Sequence, residues 1–335
     1  MSLADSVLAG DLLALARLLT EVENSSPASR TALDELFPHA GKAHLIGVTG
    51  ATGTGKSSLV NQLTLKFRKP DTGDPRRVAI VAVDPSSPFT GGAVLGDRVR
   101  MRDLAGDRGV FIRSMASRGS LGGLAQATAA MVQVFDAAGF DLILIETVGA
   151  GQSEVDIARV AHTTLVVEAP GLGDDIQAIK AGILEIADIL VVNKADHPGV
   201  EKTEHALKTM LSMAHPVDKV FLQHGQAATR AGPAADGAKV WVPPIRRTIA
   251  TDGTGVADLV AAIDQHARYL HQTGDWLRRE RARLEVELET LISETLNSRF
   301  RAVVSDEVYT EVVDRLVQRR LSPGEAVEAL LDRKS

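Results

Sequence analysis

The stretch Gly50-Ala51-Thr52-Gly53-Thr54-Gly55-Lys56-Ser57 fits G-x-x-x-x-G-K-[ST] at every position. It lies directly after the apolar run Leu45 to Val48 and directly before a helical pattern, the context a phosphate-binding loop requires. Gly50, Gly53 and Gly55 let backbone N–H groups converge on phosphates at a helix N-terminus, with Thr54 and Ser58 among the residues around them. Lys56 brings a point charge to the β/γ-phosphates, and the Ser57 hydroxyl is a Mg²⁺ ligand. Asn193-Lys194-Ala195-Asp196, after the run Ile189 to Val192, fits N-K-x-D. A carboxylate at Asp196 accepts from guanine N1–H and the 2-amino group, whereas adenine would leave it unpaired. Asn193 would brace the pocket and reach the N7/O6 edge, and the Lys194 stem would cover the base plane. Glu146-Thr147-Val148-Gly149 ends the run Leu142 to Ile145 and takes the place of a GTPase D-x-x-G segment. This puts Glu146 near Mg²⁺ or its waters and offers the Gly149 N–H to the γ-phosphate, a contact released on hydrolysis. Asp84 closes the run Val78 to Val83 and opens a Pro- and Gly-rich segment. It is an acid at the rim within reach of metal or nucleotide, or else a turn-forming Asp before Pro85.

Elements must hold these residues at one rim. The short aliphatic runs at Leu45–Val48, Val78–Val83, Leu142–Ile145, Thr164–Val167 and Ile189–Val192 read as strands buried on both faces. Helical patterns alternate with them at Ser57–Phe67, Leu124–Ala138, Ile176–Ala187 and Val200–Met213. The alternation predicts an α/β fold with a doubly wound, mainly parallel sheet that binds ligand beyond the carboxyl ends of its strands. Ser2 to Val22 reads as an amphipathic helix, Asn24 to Pro38 as a polar, turn-rich link, and Val240-Trp241-Val242 as a last strand ended by Pro243-Pro244. Beyond Gly255 no strand pattern returns. Between Asp275 and Glu289 the residues are mostly charged, and Leu277, Leu284, Leu288, Leu291 and Leu296 form a narrow apolar seam. Such a seam predicts an arm packed on a partner helix in an oligomer; the other reading lays it back on its own domain. Ser322-Pro323 begins a final short helix.

A length of 335 residues allows about two domains, or one large domain with extensions. The 37 Lys+Arg against 43 Asp+Glu leave a net charge of −6, a mild acidic excess that argues against a broad basic surface for nucleic acid or anionic lipid. Phosphate chemistry must therefore be local. The absence of cysteine excludes disulfides, thiolate metal sites, a catalytic thiol and Fe–S clusters. Nine histidines scattered along the chain include no recognisable ligand pair, which weighs against a nickel-delivering GTPase. A kinase built on the same phosphate loop would predict adenine preference. The N-terminus lacks a signal-peptide pattern and no apolar run approaches a membrane span, so a cytoplasmic location is expected.

Together these residues resemble the MeaB/ArgK family of GTPase chaperones of adenosylcobalamin-dependent methylmalonyl-CoA mutase. The most family-specific stretches are Val83 to Phe89, Leu95-Gly96-Asp97-Arg98, Glu146 to Glu154 and Gly173 to Gly182. The resemblance implies a SIMIBI-type phosphate-loop G domain at 41–257, between an N-terminal helical extension at 1–40 and a dimerisation arm at 258–335. It implies a homodimer that binds GTP or GDP and is Mg²⁺-dependent, with Ser57, Asp84, Asp97 and Glu146 around the metal. Hydrolysis would be slow alone and stimulated by the mutase, whose cofactor loading the protein gates. A segment from Asp174 to Lys180 would act as an additional switch, and Lys180 would neutralise developing charge. Gln152, just past the Gly149 hinge, is the candidate for positioning the attacking water. The last guanine loop departs from the family's Thr-Ser-Ala. It reads Thr248-Ile249-Ala250, which keeps the backbone donors and loses a serine side chain.

Overall fold

The computed structural model describes residues 2–85, 101–104, 106–117, 123–147, 153–171, 185–213, 222–223, 226–227 and 240–331. Strands β1 (His44–Thr49), β2 (Val78–Pro85), β3 (Val110–Ser117), β4 (Leu142–Thr147), β5 (Thr163–Glu168), β6 (Ile189–Val192) and β9 (Ile245–Arg247) form one sheet in the order β3-β2-β4-β1-β5-β6-β9. Every pairing in it is parallel. The two-residue strands β7 (Leu222–Gln223) and β8 (Gln226–Ala227) pair separately.

Successive residues of the central strands feed opposite cores, as the period of a strand requires. Leu45, Ile143 and Ile145 face one cluster with Leu18, Leu19 and Phe135, whereas Ile46, Val48, Leu142 and Leu144 face another with Leu59, Leu63, Phe67 and Ile263. A strand buried on both faces has no polar alternation, hence the continuous aliphatic runs. The first face is covered by α1 (Leu3–Leu8), α2 (Leu12–Glu23), α3 (Pro27–Leu36), α5 (Gly123–Ala137) and α6 (Ser153–Val160). The second is covered by α4 (Lys56–Arg68) and α8 (Val256–Thr273). Helix α7 (Val200–Met213) buries Val200 and Leu207 over β5 and β6.

The structure departs from the sequence reading in four places. The N-terminal helix is two, because Gly10 takes φ +85° and Asp11 starts the second by accepting from Leu13 N–H at 2.8 Å. The stretch read as a link holds α3, capped by the Ser26 hydroxyl, with Pro27 in its first turn. Strand β3 lies outside the aliphatic runs that mark the other strands of the sheet. The last strand lies after Pro243-Pro244, not before them. Proline has no N–H for the ladder, but the Pro244 carbonyl accepts from Leu190 N–H at 2.9 Å and leads into β9. Val240 and Val242 are exposed, while Trp241 turns inward and donates its indole N–H to the Asp188 carbonyl at 2.8 Å. Most of the helical pattern read at Ile176–Ala187 lies outside the described residues.

The chain divides into two compact units, Met1–Arg283 and Leu284–Ser335. Helix α9 (Asp275–Val303) begins in the first. In the second, α10 (Asp306–Val317) and α11 (Pro323–Leu331) bury Val312 and Ala326, and Arg301 lies 4.2 Å over the Tyr309 ring. The seam residues Leu288, Leu291 and Leu296 are exposed.

Candidate nucleotide site

Parallel strands place the carboxyl ends of β1, β2, β4, β5 and β6 on one rim, and the sequence motifs lie there. After β1 the chain turns through Gly50 at φ +136°, Gly53 at +85° and Gly55 at +90° before α4 starts at Lys56. Any Cβ at Gly50 would overlap the Val167 carbonyl of β5, so this approach excludes every other residue. Lys56 is buried, its Nζ donating to the carbonyls of Gly50 at 2.8 Å and Ala51 at 3.0 Å. The ammonium therefore lies inside the loop that is to hold phosphate. Thr54 is fully buried and closes the loop through its hydroxyl, 2.9 Å from the Ala51 carbonyl. Ser58 stands exposed in the first turn of α4.

Glu146, near the end of β4, lies in register with Val48 of β1 and Ala82 of β2. Its Oε1 accepts from the Ser57 hydroxyl at 2.5 Å, and the residue is buried. Two hard oxygen donors from different elements thus meet beside the phosphate loop, a donor set that suits Mg²⁺. Asp84 is one position beyond the pair Val83–Thr147 on the same rim; its side chain lies outside the described residues. So do Asp97, Gly149, Gln152 and Lys180. Among the described residues no group of three or more His, Asp or Glu side chains gathers as a metal-binding set.

Asn193 joins both halves of the site. It is 2% exposed, and its Nδ2 donates to the Thr54 carbonyl at 2.8 Å. Its Oδ1 accepts from the Thr248 hydroxyl and from Ala250 N–H, both at 3.1 Å. One amide therefore ties the phosphate loop to the loop that follows β9. That loop is also held by the Ile249 N–H, which donates to the Thr254 carbonyl at 2.9 Å. Lys194 turns the chain with φ +55°, and Ala195 N–H meets the Thr248 carbonyl at 3.0 Å. Asp196 is exposed, its carboxylate 3.9 Å from His197 Nε2. The buried member of the tetrapeptide is thus a brace and the exposed member is presented to solvent.

Sequence reasoning missed a second cluster at the opposite rim. His266, Tyr269, His271 and Trp276 of α8 and the start of α9 gather there with His44, His162 and Trp241, which come from distant parts of the chain. Beside them Asp188 holds Arg279 through two contacts of 2.9 Å. No spacing rule links these positions, so the sequence carried no signal for them.

Comparison with known proteins agrees with this architecture. A family model described as Methylmalonyl Co-A mutase-associated GTPase MeaB matches residues 15–305. A protein of Pyrococcus abyssi, provisionally named a GTPase, is 41% identical over 322 residues, 96% of this chain and 93% of its own. GTPase ArgK of Escherichia coli is 32% identical over 332 residues, 96% of this chain and 92% of its own. A solved structure named as a LAO/AO transport system kinase matches with a TM-score of 0.66 at 25% identity, over 98% of this chain and 95% of its own. The chain belongs to the MeaB/ArgK family of phosphate-loop GTPases.

Proposed function

We propose that this protein is a Mg²⁺-dependent GTPase whose nucleotide state gates the loading of an adenosylcobalamin-dependent mutase, methylmalonyl-CoA mutase being the partner its family name indicates. The observation that carries the nucleotide reading is the Asn193 brace, which couples a phosphate loop to a guanine-type loop through one buried amide.

In this reading Lys56 and the backbone N–H groups after Gly53 hold the phosphates, Asp196 reads the guanine edge, and the Lys194 stem covers its face. Thr248, Ile249 and Ala250 shape the pocket wall. Ser57 and Glu146, with Asp84 and Asp97, would hold Mg²⁺, which when bound neutralises phosphate charge. Hydrolysis is then a matter of positioning and charge stabilisation. Gln152 is assigned to orient the attacking water, and Lys180 to meet developing charge when the partner docks. Gly149 links the γ-phosphate to the segment after β4. The exposed seam of α9 is assigned to a homodimer contact.

Two measurements test this. Multiple-turnover hydrolysis is expected with GTP, slow alone and faster with a cobalamin mutase, and ATP is expected to compete poorly. Equal use of ATP would favour the transport-kinase reading that the structural neighbour's name carries. Co-purification in GDP and in a non-hydrolysable GTP analogue is expected to recover a cobalamin-dependent enzyme in one state. Recovery in neither would refute the chaperone role and leave the GTPase intact.

A further inference from the structure

The residue before β5 and the first residues of β1 and β5 lie at the rim opposite the nucleotide motifs, and there the first turns of α9 are fastened. Trp276 is buried with its ring stacked on His162 at 3.9 Å and on His271 at 4.2 Å. Arg279 spans from Asp188 to the His162 carbonyl, 2.6 Å away. Glu280 Oε2 lies 3.3 Å from His162 Nε2.

Hydrogen bonding fixes the protonation of His162. Leu45 N–H donates to its Nδ1 at 3.1 Å, so Nδ1 carries a lone pair and the ring proton is on Nε2, facing Glu280. A second proton must go to Nδ1. There it would point at the Leu45 N–H, which has no other way to turn in β1. A neighbouring chain has the same character. Thr163 Oγ1 lies 2.7 Å from His44 Nε2 and 2.9 Å from His266 Nδ1, and one hydroxyl donates to one ring only. With Asp188 Oδ1 3.3 Å from His266 Nε2, the proton of His266 belongs on Nε2. Its Nδ1 then accepts from Thr163, and Thr163 accepts from His44.

We propose that this knot is an acid-sensitive latch, in which a solvent proton taken up at His162 Nδ1 opposes the Leu45 N–H, unstacks His162 from Trp276 and releases the first turns of α9 from the sheet. The charged and titratable groups around the His44–His162 pair and its neighbour His266 come from every packed element. They are His44 of β1, Arg76 before β2, Asp188 before β6, His266 and His271 of α8, and Arg279, Glu280 and Arg283 of α9. Burial holds the His162 pKa below its ordinary value, with the cations of Arg283 and Arg279 acting the same way; Glu280 opposes them. Burial and the neighbouring His162 and His266 hold His44 well below it.

Both tryptophans of the chain lie in this knot, so intrinsic fluorescence of the full chain reads it directly. A reversible fluorescence transition is expected below pH ~6.5, the ordinary histidine value, with far-UV circular dichroism unchanged. Amide exchange at 276–283, corrected for intrinsic rate, should rise about tenfold across it. Glu280→Gln removes the group that favours the charged ring and should move the midpoint about half a unit or more to lower pH. His162→Asn keeps an acceptor for Leu45 N–H and cannot titrate, so the step should vanish. A flat wild-type profile down to pH ~5, a transition that coincides with loss of circular dichroism, or an unmoved midpoint in Glu280→Gln would overturn the latch. If His162→Asn fails to fold, the Glu280→Gln midpoint decides alone.

Discussion

Asn193→Ala separates bracing from base reading. The substitution removes three hydrogen bonds of 2.8, 3.1 and 3.1 Å and leaves the Thr54 carbonyl and Ala250 N–H without the amide in a region where Asn193 is 2% exposed. Each neutral bond contributes about 1 kcal/mol net, and each orphaned backbone group costs about 1–3 kcal/mol, although the Thr248 hydroxyl can turn elsewhere. A loss of roughly 2–4 kcal/mol is expected in urea unfolding of the nucleotide-free chain. GDP affinity should fall about 10- to 100-fold as well, because both loops lose their fixed positions and every ~1.4 kcal/mol is a factor of ten. Gly55→Ala completes a cycle. Its Cβ would stand 2.5 Å from Asn193 Nδ2, at a residue with φ +90°. In the Asn193→Ala background that contact is gone and only the backbone strain of about 1–2 kcal/mol is left. The double variant should thus be about 1 kcal/mol more stable than the sum of the single ones predicts. A weakened GDP affinity with unchanged apo stability would refute the brace and leave Asn193 as a base contact only.

Asp196→Ala should show the converse: nucleotide-free stability within about 0.5 kcal/mol of wild type, as for an exposed site, with loss of preference for GDP over ADP in a competition assay. Arg279→Ala leaves the Asp188 carboxylate, 1% exposed, without its bidentate cation, and urea unfolding should report a loss of about 3–5 kcal/mol. Stability should also fall on acidification. His44 and His162 have folded pKa values below their unfolded ones, so the unfolded chain binds more protons under pH ~6.5 and the stability present above that pH is lost downwards. Urea midpoints at pH 7.5 and 5.5 check this sign, and an equal or higher midpoint at pH 5.5 would contradict it.

The central strands were legible because burial on two faces leaves an unbroken aliphatic signature, and the rim motifs because each keeps its chemistry within one turn of chain. What escaped was settled by partners distant in sequence. Strand β3 contains Arg113, a residue that argues against a buried strand. Helix α2 supplies Glu23, whose carboxylate takes the guanidinium at 2.5 Å. Asp188 reads as a turn residue before Ile189, yet Arg279 arrives from 91 residues away to pair with it.

The same distinction explains why the two rims of one sheet differ in legibility. At the carboxyl rim the ligand is small and the protein must present contiguous backbone donors, so sequence spacing encodes the geometry. At the amino rim side chains meet one another and the backbone beside them. Their requirement is mutual complementarity of rings, protons and charge, which any set of positions that the fold brings together can satisfy. Strand β6 joins the two, with Asp188 immediately before it and Asn193 immediately after. A four-residue parallel strand held on both sides by β5 and β9 cannot slide independently of either end. The fastening of α9 and the brace of the nucleotide loops are therefore built on one short rigid element. The Arg279→Ala variant accordingly bears on both rims. If β6 transmits the loss, GDP affinity should fall along with stability; if affinity is unchanged, the rims act separately.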